Sequence, residues 1–580
     1  MTYIAAPRWA EGSPGEHMVG MRTMDRGKTW SDFVALEPYS NATTGQVSAY
    51  GSVVARDDGS RVFAVWIQNV NNVSHLPGAA PSDGFRADML GAFVWKYSDD
   101  EGATWSADHY EIPVPYGYIE AVNSFSKAKN GTGDVQIMWQ VDHVKVLKDG
   151  TAVFAFTKIG TYAVAAPEEI FVLASPNLLS EADPLKVTWT MWPDHAHGVG
   201  APGAYDSPTR VAEEPHVLPI LGDERLALFW RTDQGYMGHA VTTSSNFSDR
   251  GAWGDSTYAS YEASSWASGA ENFVKQPRGP LSPKKQPNGL WLMTYYNTQP
   301  LAAFAAAATI SDRNNMWLTA GREVDGTVKW SQPELALYDR VRSKFHGYPD
   351  VVTTWDGAVY ITEAYKGAPG SEVKTHEVSA NLLEALYGQA DAKNVKAGFV
   401  WDSRGTKTLP AGALPNFMTY DEDRAGFTLD AWVAGLDAAG DDGAALVDAT
   451  APSGSGVRLA AFKNGTVSLL LNDTTGAAAL HWTDPTCSRQ LASPGDHYVG
   501  AVADAGPKMI TFFVDGKLCD GGHDNGKGWE NGWLLFSPTL ADVMATREVT
   551  TAPGLLKGAR LYDTALYVSD LVGNFRAGPW

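Results

Sequence analysis

Glu213 and Glu214 stand side by side in Glu-Glu-Pro-His, and Arg231 follows Glu214 by 17 residues in Leu-Phe-Trp-Arg-Thr-Asp. Arg313 lies 35 residues before Tyr348, which sits in Gly-Tyr-Pro-Asp, with His346 and Glu363 close by in sequence. Arginine grips carboxylates through a rigid fork. A carboxylic acid, an imidazole or a phenol beside a base can move a proton in a transition state. These types suit a carboxylate-bearing ligand such as a uronate: the arginines neutralise the acid, and Tyr348, with His216 or His346, removes the neighbouring proton, as a polysaccharide lyase would. Other chemistries lack their signatures, since there is no Gly-rich phosphate loop, Cys-rich zinc pattern or G-x-S-x-G elbow. His195-Ala-His197 has metal-pair spacing but no third ligand near it, so it reads as a solvated loop and no metal site is expected.

Two octets show what positions these residues: Thr23-Met-Asp25-Arg-Gly27-Lys-Thr29-Trp30 and Ser98-Asp-Asp100-Glu-Gly102-Ala-Thr104-Trp105. Both read S/T-x-D-x-G-x-T-W, in which Asp bonds backbone N–H groups across a turn and Gly takes a positive φ. The pattern is an Asp box and resembles the repeat of the sialidase-like β-propellers. Degenerate copies follow at Asp249-Arg-Gly251-Ala-Trp253 and at Asp325 to Trp330. The four Trps, at 30, 105, 253 and 330, give steps of 75, 148 and 77. Trp189 halves the long step and Trp401 lies 71 beyond Trp330, so six marks predict six blades, with seven the alternative. Between the marks run short strands such as Arg61-Val-Phe-Ala-Val-Trp-Ile and Arg225-Leu-Ala-Leu-Phe-Trp, each after a turn pair such as Asp58-Gly59.

Composition agrees with an all-β chain. With 58 Gly, 32 Pro, 21 Trp and 23 Tyr in 580 residues, turns and half-buried aromatics abound, and 19% charged residues argue against disorder. A net charge of −21 excludes nucleic acid and anionic membranes as partners, which need a basic face. After a Pro/Gly/Asp-rich stretch from Ser403 to Gly426, a second strand pattern without Asp boxes begins. Its order, from Phe427-Thr-Leu-Asp-Ala-Trp-Val to Arg560-Leu-Tyr-Asp, resembles a laminin-G or concanavalin-like sandwich. The expected domains are a propeller over 1–405, a linker over 406–425 and a β-sandwich (jelly roll) over 426–580. The sandwich either binds carbohydrate or buttresses its neighbour.

The sialidase resemblance implies roles. Sialidases hold a sugar carboxylate with three arginines, use a tyrosine nucleophile with a glutamate base, and protonate the leaving group with an aspartic acid. A phenol suits an anomeric carbon bearing an acid group, which would repel a carboxylate nucleophile. On this resemblance Tyr348 is the nucleophile, Glu214 its base and Asp88, ten residues before the second box, the acid. Arg231 and Arg313 match the second and third arginines, and Glu363 the acid that braces the first. Strand alternation puts Glu213 and Glu214 on opposite faces, so Glu213 is the alternative mouth residue. Without a partner role, Tyr348 plugs the channel and Asp88 caps a turn. The first arginine is missing: its place reads Ala49-Tyr50-Gly51-Ser52-Val53. Arg22, Arg86 or Arg278 could supply the charge from another blade, and Lys366 could partner Glu363.

The resemblance thus implies an exo-acting glycoside hydrolase that removes a terminal sugar, acidic or otherwise, from a glycan and needs no cofactor. Nothing indicates a structural calcium. The rivals are the uronate lyase and a non-catalytic glycan-binding protein. Cys487 and Cys519 can close one disulfide or stay a free pair. Six N-x-S/T sequons, at Asn41, Asn72, Asn130, Asn246, Asn464 and Asn472, fit a secreted glycoprotein. No apolar run is long enough to span a membrane. Met1 to Ala10 lacks a signal-peptide apolar region, so the expectation is a chain that starts inside a folded element, its natural N-terminus incomplete.

Overall fold

The computed structural model describes residues 2–5, 12, 15–37, 47–72, 87–122, 135–160, 167–203, 210–262, 273–277, 279–297, 313, 315–339, 345–366, 371–410, 424–436, 443–452, 454, 456–472, 479–484, 487–507, 509–519, 547–552 and 554–579. The fold is all-β, built of antiparallel sheets with a few short helices. By contact density the chain forms two compact units, one of residues 1–259 with 280–283 and 322–329, the other of 260–279, 284–321 and 330–580.

The first unit opens on a three-stranded sheet, Thr2–Ala5, His17–Gly20 and Val34–Ala35. Next come strands Ser48–Ala55, Val62–Gln68, Leu90–Ser98 and Tyr110–Ile112, and then Gln136–Trp139, Ala152–Lys158, Glu169–Ser175 and Thr190–Trp192. Pairing of Leu90 with Ile137 and Gly91 with Gln136 joins these two groups. A four-stranded sheet, Glu213–Ile220, Arg225–Arg231, Gly238–Val241 and Thr257–Tyr258, completes the unit. Leu228, Trp230, Val153, Val172 and Val217 pack in one core between sheets. In the octets, Asp25 accepts from Thr29 N at 2.8 Å and Asp100 from Thr104 N at 2.8 Å, while Gly27 and Gly102 both take φ of 81°. Asp325-Gly326 differs from them. Its φ values of 51° and 75° form the two-residue turn between strands Met316–Val324 and Thr327–Trp330, so Trp330 ends a hairpin rather than an Asp box.

In the second unit Trp291–Tyr295 pairs with Met316–Val324, which pairs in turn with Glu334–Leu337. Phe345–Thr353, Val359–Lys366 and Ser371–Glu377 form a three-stranded sheet, and helix Ala380–Tyr387 follows. Two larger sheets come from the C-terminal region. One is ordered Phe399–Asp402, Leu556–Tyr562, Gly426–Val433, His497–Asp504, Met509–Val514, Lys517–Leu518; the other holds Ala444–Thr450, Gly456–Ala461, Val467–Asn472 and Ala479–Asp484. Their inward residues, among them Leu429, Leu459, Leu469 and Phe512, share one core with Cys487 and Cys519, which are joined as a disulfide.

Trp401, the sixth mark of the spacing, lies in this C-terminal group and not in a sheet ahead of it: it pairs with Leu561 in the closing strand. Inside the expected linker, Thr408–Leu409 pairs with Arg547–Glu548.

Glu334 ties the strand Glu334–Leu337 to the C-terminal helix Val568–Arg576 by accepting from Val568 N at 3.0 Å, Ser569 N at 2.7 Å and Ser569 Oγ at 2.6 Å. Burial pushes its carboxyl up to about 7, against those hydrogen bonds. A carboxyl with a raised folded pKa stabilises fully below its unfolded value, about 4.3, and loses that contribution as pH rises through the folded value. The melting temperature of Glu334→Gln should therefore rise relative to wild type between pH 5 and pH 8. A constant difference would show that Glu334 does not hold its proton.

Candidate functional site

Three hairpins share one irregularity. Between Ala49↔Ile67 and Ser52↔Val65 the first strand carries an extra residue, and the same occurs between Glu213↔Arg231 and His216↔Phe229 and between Gly347↔Ala364 and Asp350↔Thr362. In each bulge the residue after the first paired one is left-handed: Tyr50 at φ 57°, Glu214 at 53°, Tyr348 at 46°. Bulges commonly place glycine at such a position, because a Cβ makes it costly. Here the three hold side chains able to do chemistry, and a bulge re-aims the side chain it carries. Tyr50, Glu214 and Tyr348 are thus equivalent positions of three hairpins, and the place where the first arginine was expected is filled by Tyr50.

Within the first unit Glu213, Glu214 and Arg231 come together. Arg231 donates through Nε and Nη2 to Glu213 Oε2, at 2.9 and 2.6 Å, and its Nη1 lies 2.9 Å from Glu214 Oε1. The bulge brings both neighbouring carboxylates to one guanidinium, so Glu213 and Glu214 are not alternatives. All three side chains are buried. The indole Nε1 of Trp139 also donates to Glu214 Oε1, at 3.1 Å, and the Trp139 ring centroid lies 4.2 Å from that of Tyr50. Next along the strand, His216 Nδ1 is 2.9 Å from Asp142 Oδ1, and Asp142 Oδ2 accepts from Ala155 N and Val217 N. Asp88 is fully buried in the turn Ala87–Met89. Arg22 lies over the second octet, donating to Asp100 O at 3.4 Å, and does not replace the missing arginine. His197 Nδ1 is 2.8 Å from Glu169 Oε1. Among the described residues no three His, Cys, Asp or Glu side chains are placed to hold a metal ion.

In the second unit Glu363 accepts from two histidines, His346 Nδ1 at 2.7 Å and His376 Nε2 at 2.8 Å, with the proton positions assigned from the hydrogen bonds. Burial works to raise its pKa, but the hydrogen bonds from His346 and His376 outweigh it and hold the carboxyl below its usual value. The brace expected for an arginine therefore holds imidazoles; the side chain of Lys366, the other expected partner, lies outside the described residues. Tyr296 donates its hydroxyl to the carbonyl of His346. Tyr348 is partly exposed, two residues beyond. Arg313 is partly exposed, its Nε 3.7 Å from where a Cβ on Gly279 would sit. Arg278 and Arg86 lie outside the described residues.

No family model matches the chain, and no curated protein matches it. Among solved structures it is similar to the Trypanosoma rangeli sialidase in complex with sialic acid, at 13% identity over 99% of this chain and 91% of that one, with a TM-score of 0.41. It is also similar to a Hadza microbial sialidase, at 17% identity over 65% and 62% of the two chains with a TM-score of 0.41. A third is the NanB sialidase from Streptococcus pneumoniae, at 10% identity over 66% of each chain with a TM-score of 0.42. Likenesses of this strength fix neither an activity nor a site.

Proposed function

We propose that the chain is an exo-acting glycoside hydrolase of sialidase-like build, removing a terminal sugar from a glycan. One observation carries the reading. Glu214 and Tyr348, singled out in the sequence as base and nucleophile, both occupy the left-handed position of equivalent bulges, and such strain in non-glycine residues clusters at functional sites. In this reading Tyr348 serves as the nucleophile at the anomeric carbon as the glycosidic C–O bond breaks, Glu214 serves as the base, and Asp88 as the acid that protonates the departing oxygen. Asp88 then deprotonates the water that releases the sugar from Tyr348. Arg231 holds Glu214 in register, and Arg313 faces the ligand.

Antiparallel sheets ahead of helix Ala380–Tyr387 support a six-bladed catalytic propeller, followed by a sandwich from Phe399. The grip of Glu334 on the C-terminal helix supports a buttressing role for the sandwich. Exposed sequons at Asn72, Asn246 and Asn464 support secretion, and no helix among the described residues is long and apolar enough to cross a membrane.

A screen of terminal glycosides with product identification tests the reading. Release of an intact monosaccharide is expected, with kcat/KM for Tyr348→Phe down roughly 10³-fold or more. Full activity in that variant would remove Tyr348 from the chemistry. The uronate lyase is favoured by one observation, the orientation of His346 by Glu363, which suits a proton-abstracting imidazole; an unsaturated uronate product, absorbing in the ultraviolet, would establish it instead.

A further inference from the structure

We propose that Trp139 is a positioning residue of the reaction, holding the Glu214 carboxylate for its role as base, an inference that rests on the hydrolase reading above. Glu214 sits at φ 53° inside the bulge between Glu213 and His216. A non-glycine residue keeps such a conformation only where its surroundings over-determine it. Strands Gln136–Trp139 and Ala152–Lys158, with Asp142 in the loop between them, do so at three points.

Two of the points are backbone. Ahead of the bulge, Thr157 Oγ1 donates to Ala212 O at 2.6 Å. Beyond it, Val217 N donates to Asp142 Oδ2 at 3.1 Å, and the same oxygen accepts from Ala155 N at 2.8 Å. The third point is the Glu214 side chain itself. Trp139 pairs with Thr157 in the sheet, and its indole Nε1 donates to Glu214 Oε1 at 3.1 Å. Arg231 Nη1 reaches that same oxygen at 2.9 Å, so donors from two different strands set the orientation of the carboxylate. An indole carries one N–H, and this one serves Glu214. Trp139 is buried, with its ring against Tyr50, so it acts through Glu214 rather than on the sugar. A hydrogen bond donated to a carboxylate also favours the ionised form, which is the form that can accept a proton.

The test uses the full chain and the 4-methylumbelliferyl glycoside that wild type hydrolyses best among neutral hexosides, the α-sialoside and the β-glucuronide. In Trp139→Phe, kcat should fall on the order of tenfold with KM little changed. The acid limb of kcat/KM against pH, where the base takes up its proton, should move up by about one pH unit while the alkaline limb stays in place. The sign follows from the lost donor: the ionised carboxylate is less favoured, so protonation sets in at higher pH. A merely structural contact would lower the whole bell without moving one limb. That result, or a profile identical to wild type, overturns this inference and leaves the hydrolase reading intact. Should Trp139→Phe fail to fold, 3-benzothienylalanine at position 139 keeps both rings, lacks the N–H and decides by the same limb. Wild type that hydrolyses no glycoside of the panel overturns the inference together with the hydrolase reading.

Discussion

Arg231→Met should lower the melting temperature by roughly 10 °C. The guanidinium is the shared partner of two carboxylates that are otherwise sealed from water, with Glu213 1% and Glu214 0% exposed. Removing one member of a buried ionic cluster leaves uncompensated charge, at about 3–5 kcal/mol, and each kcal/mol is worth about 2–4 °C in a unit of this size. Arg231→Lys should recover only part of the loss, because an ammonium is a point charge and cannot serve both carboxylates with the same fork. The double variant Glu213→Gln/Arg231→Met should be milder than Arg231→Met alone, having one buried charge fewer to strand. Thermal melts of the four proteins decide the matter. If Arg231→Met melts within a degree or two of wild type, the triad is open to solvent and cannot be what holds Glu214.

What the sequence made legible follows from how local each signal is. The octets at 23–30 and 98–105 are self-contained turns whose Asp, Gly and Thr bond one another within five residues, so their pattern could be read directly. The spacing ruler failed at Trp401 because a Trp at the right interval says nothing about which strand it pairs with, and its partner Leu561 lies 160 residues away. Glu214 and Tyr348 were singled out by type and order, but their shared bulge was not. A signal for it was present: Pro215 and Pro349 follow Glu214 and Tyr348 inside runs that otherwise read as strands, and proline within a strand is confined to edges and bulges. Trp139, Asp142 and His376 were missed because their roles are pairings across strands: Trp139 meets Glu214 75 residues on, and His376 shares Glu363 with His346. Residue type alone suggested an arginine or lysine for Glu363, whereas its partners are His346 on the first strand of that sheet and His376 on the third.

Arg560→Met should cost the packed C-terminal sheets about 3–5 kcal/mol at neutral pH and markedly less in acid. Asp430 is fully buried in the strand Gly426–Val433 and accepts from Arg560 Nε at 2.9 Å and Nη2 at 2.5 Å, from the Tyr498 hydroxyl at 2.8 Å and from Asn574 Nδ2 at 3.1 Å. Burial already raises the Asp430 pKa even though Arg560 opposes the shift. Without the guanidinium the folded-state pKa climbs further, while the unfolded value stays near the usual ~3.9. A carboxyl with a raised folded pKa is most favourable to the fold below its unfolded value and loses that contribution as pH rises. The deficit of Arg560→Met against wild type must therefore widen from pH 5 to pH 8, as keeping Asp430 buried demands an ever less populated proton. Asp430→Leu/Arg560→Met removes the titrating group, so its deficit should be flat across the same range. It should not vanish, because the Tyr498 hydroxyl loses its acceptor, at about 1–3 kcal/mol, and the Asn574 amide keeps only the Tyr562 hydroxyl. Denaturant melts of the three proteins at pH 5 and pH 8 separate these outcomes. A deficit of equal size at both pH values in the single variant would mean that Asp430 stays charged without Arg560, held by Tyr498 and Asn574 alone.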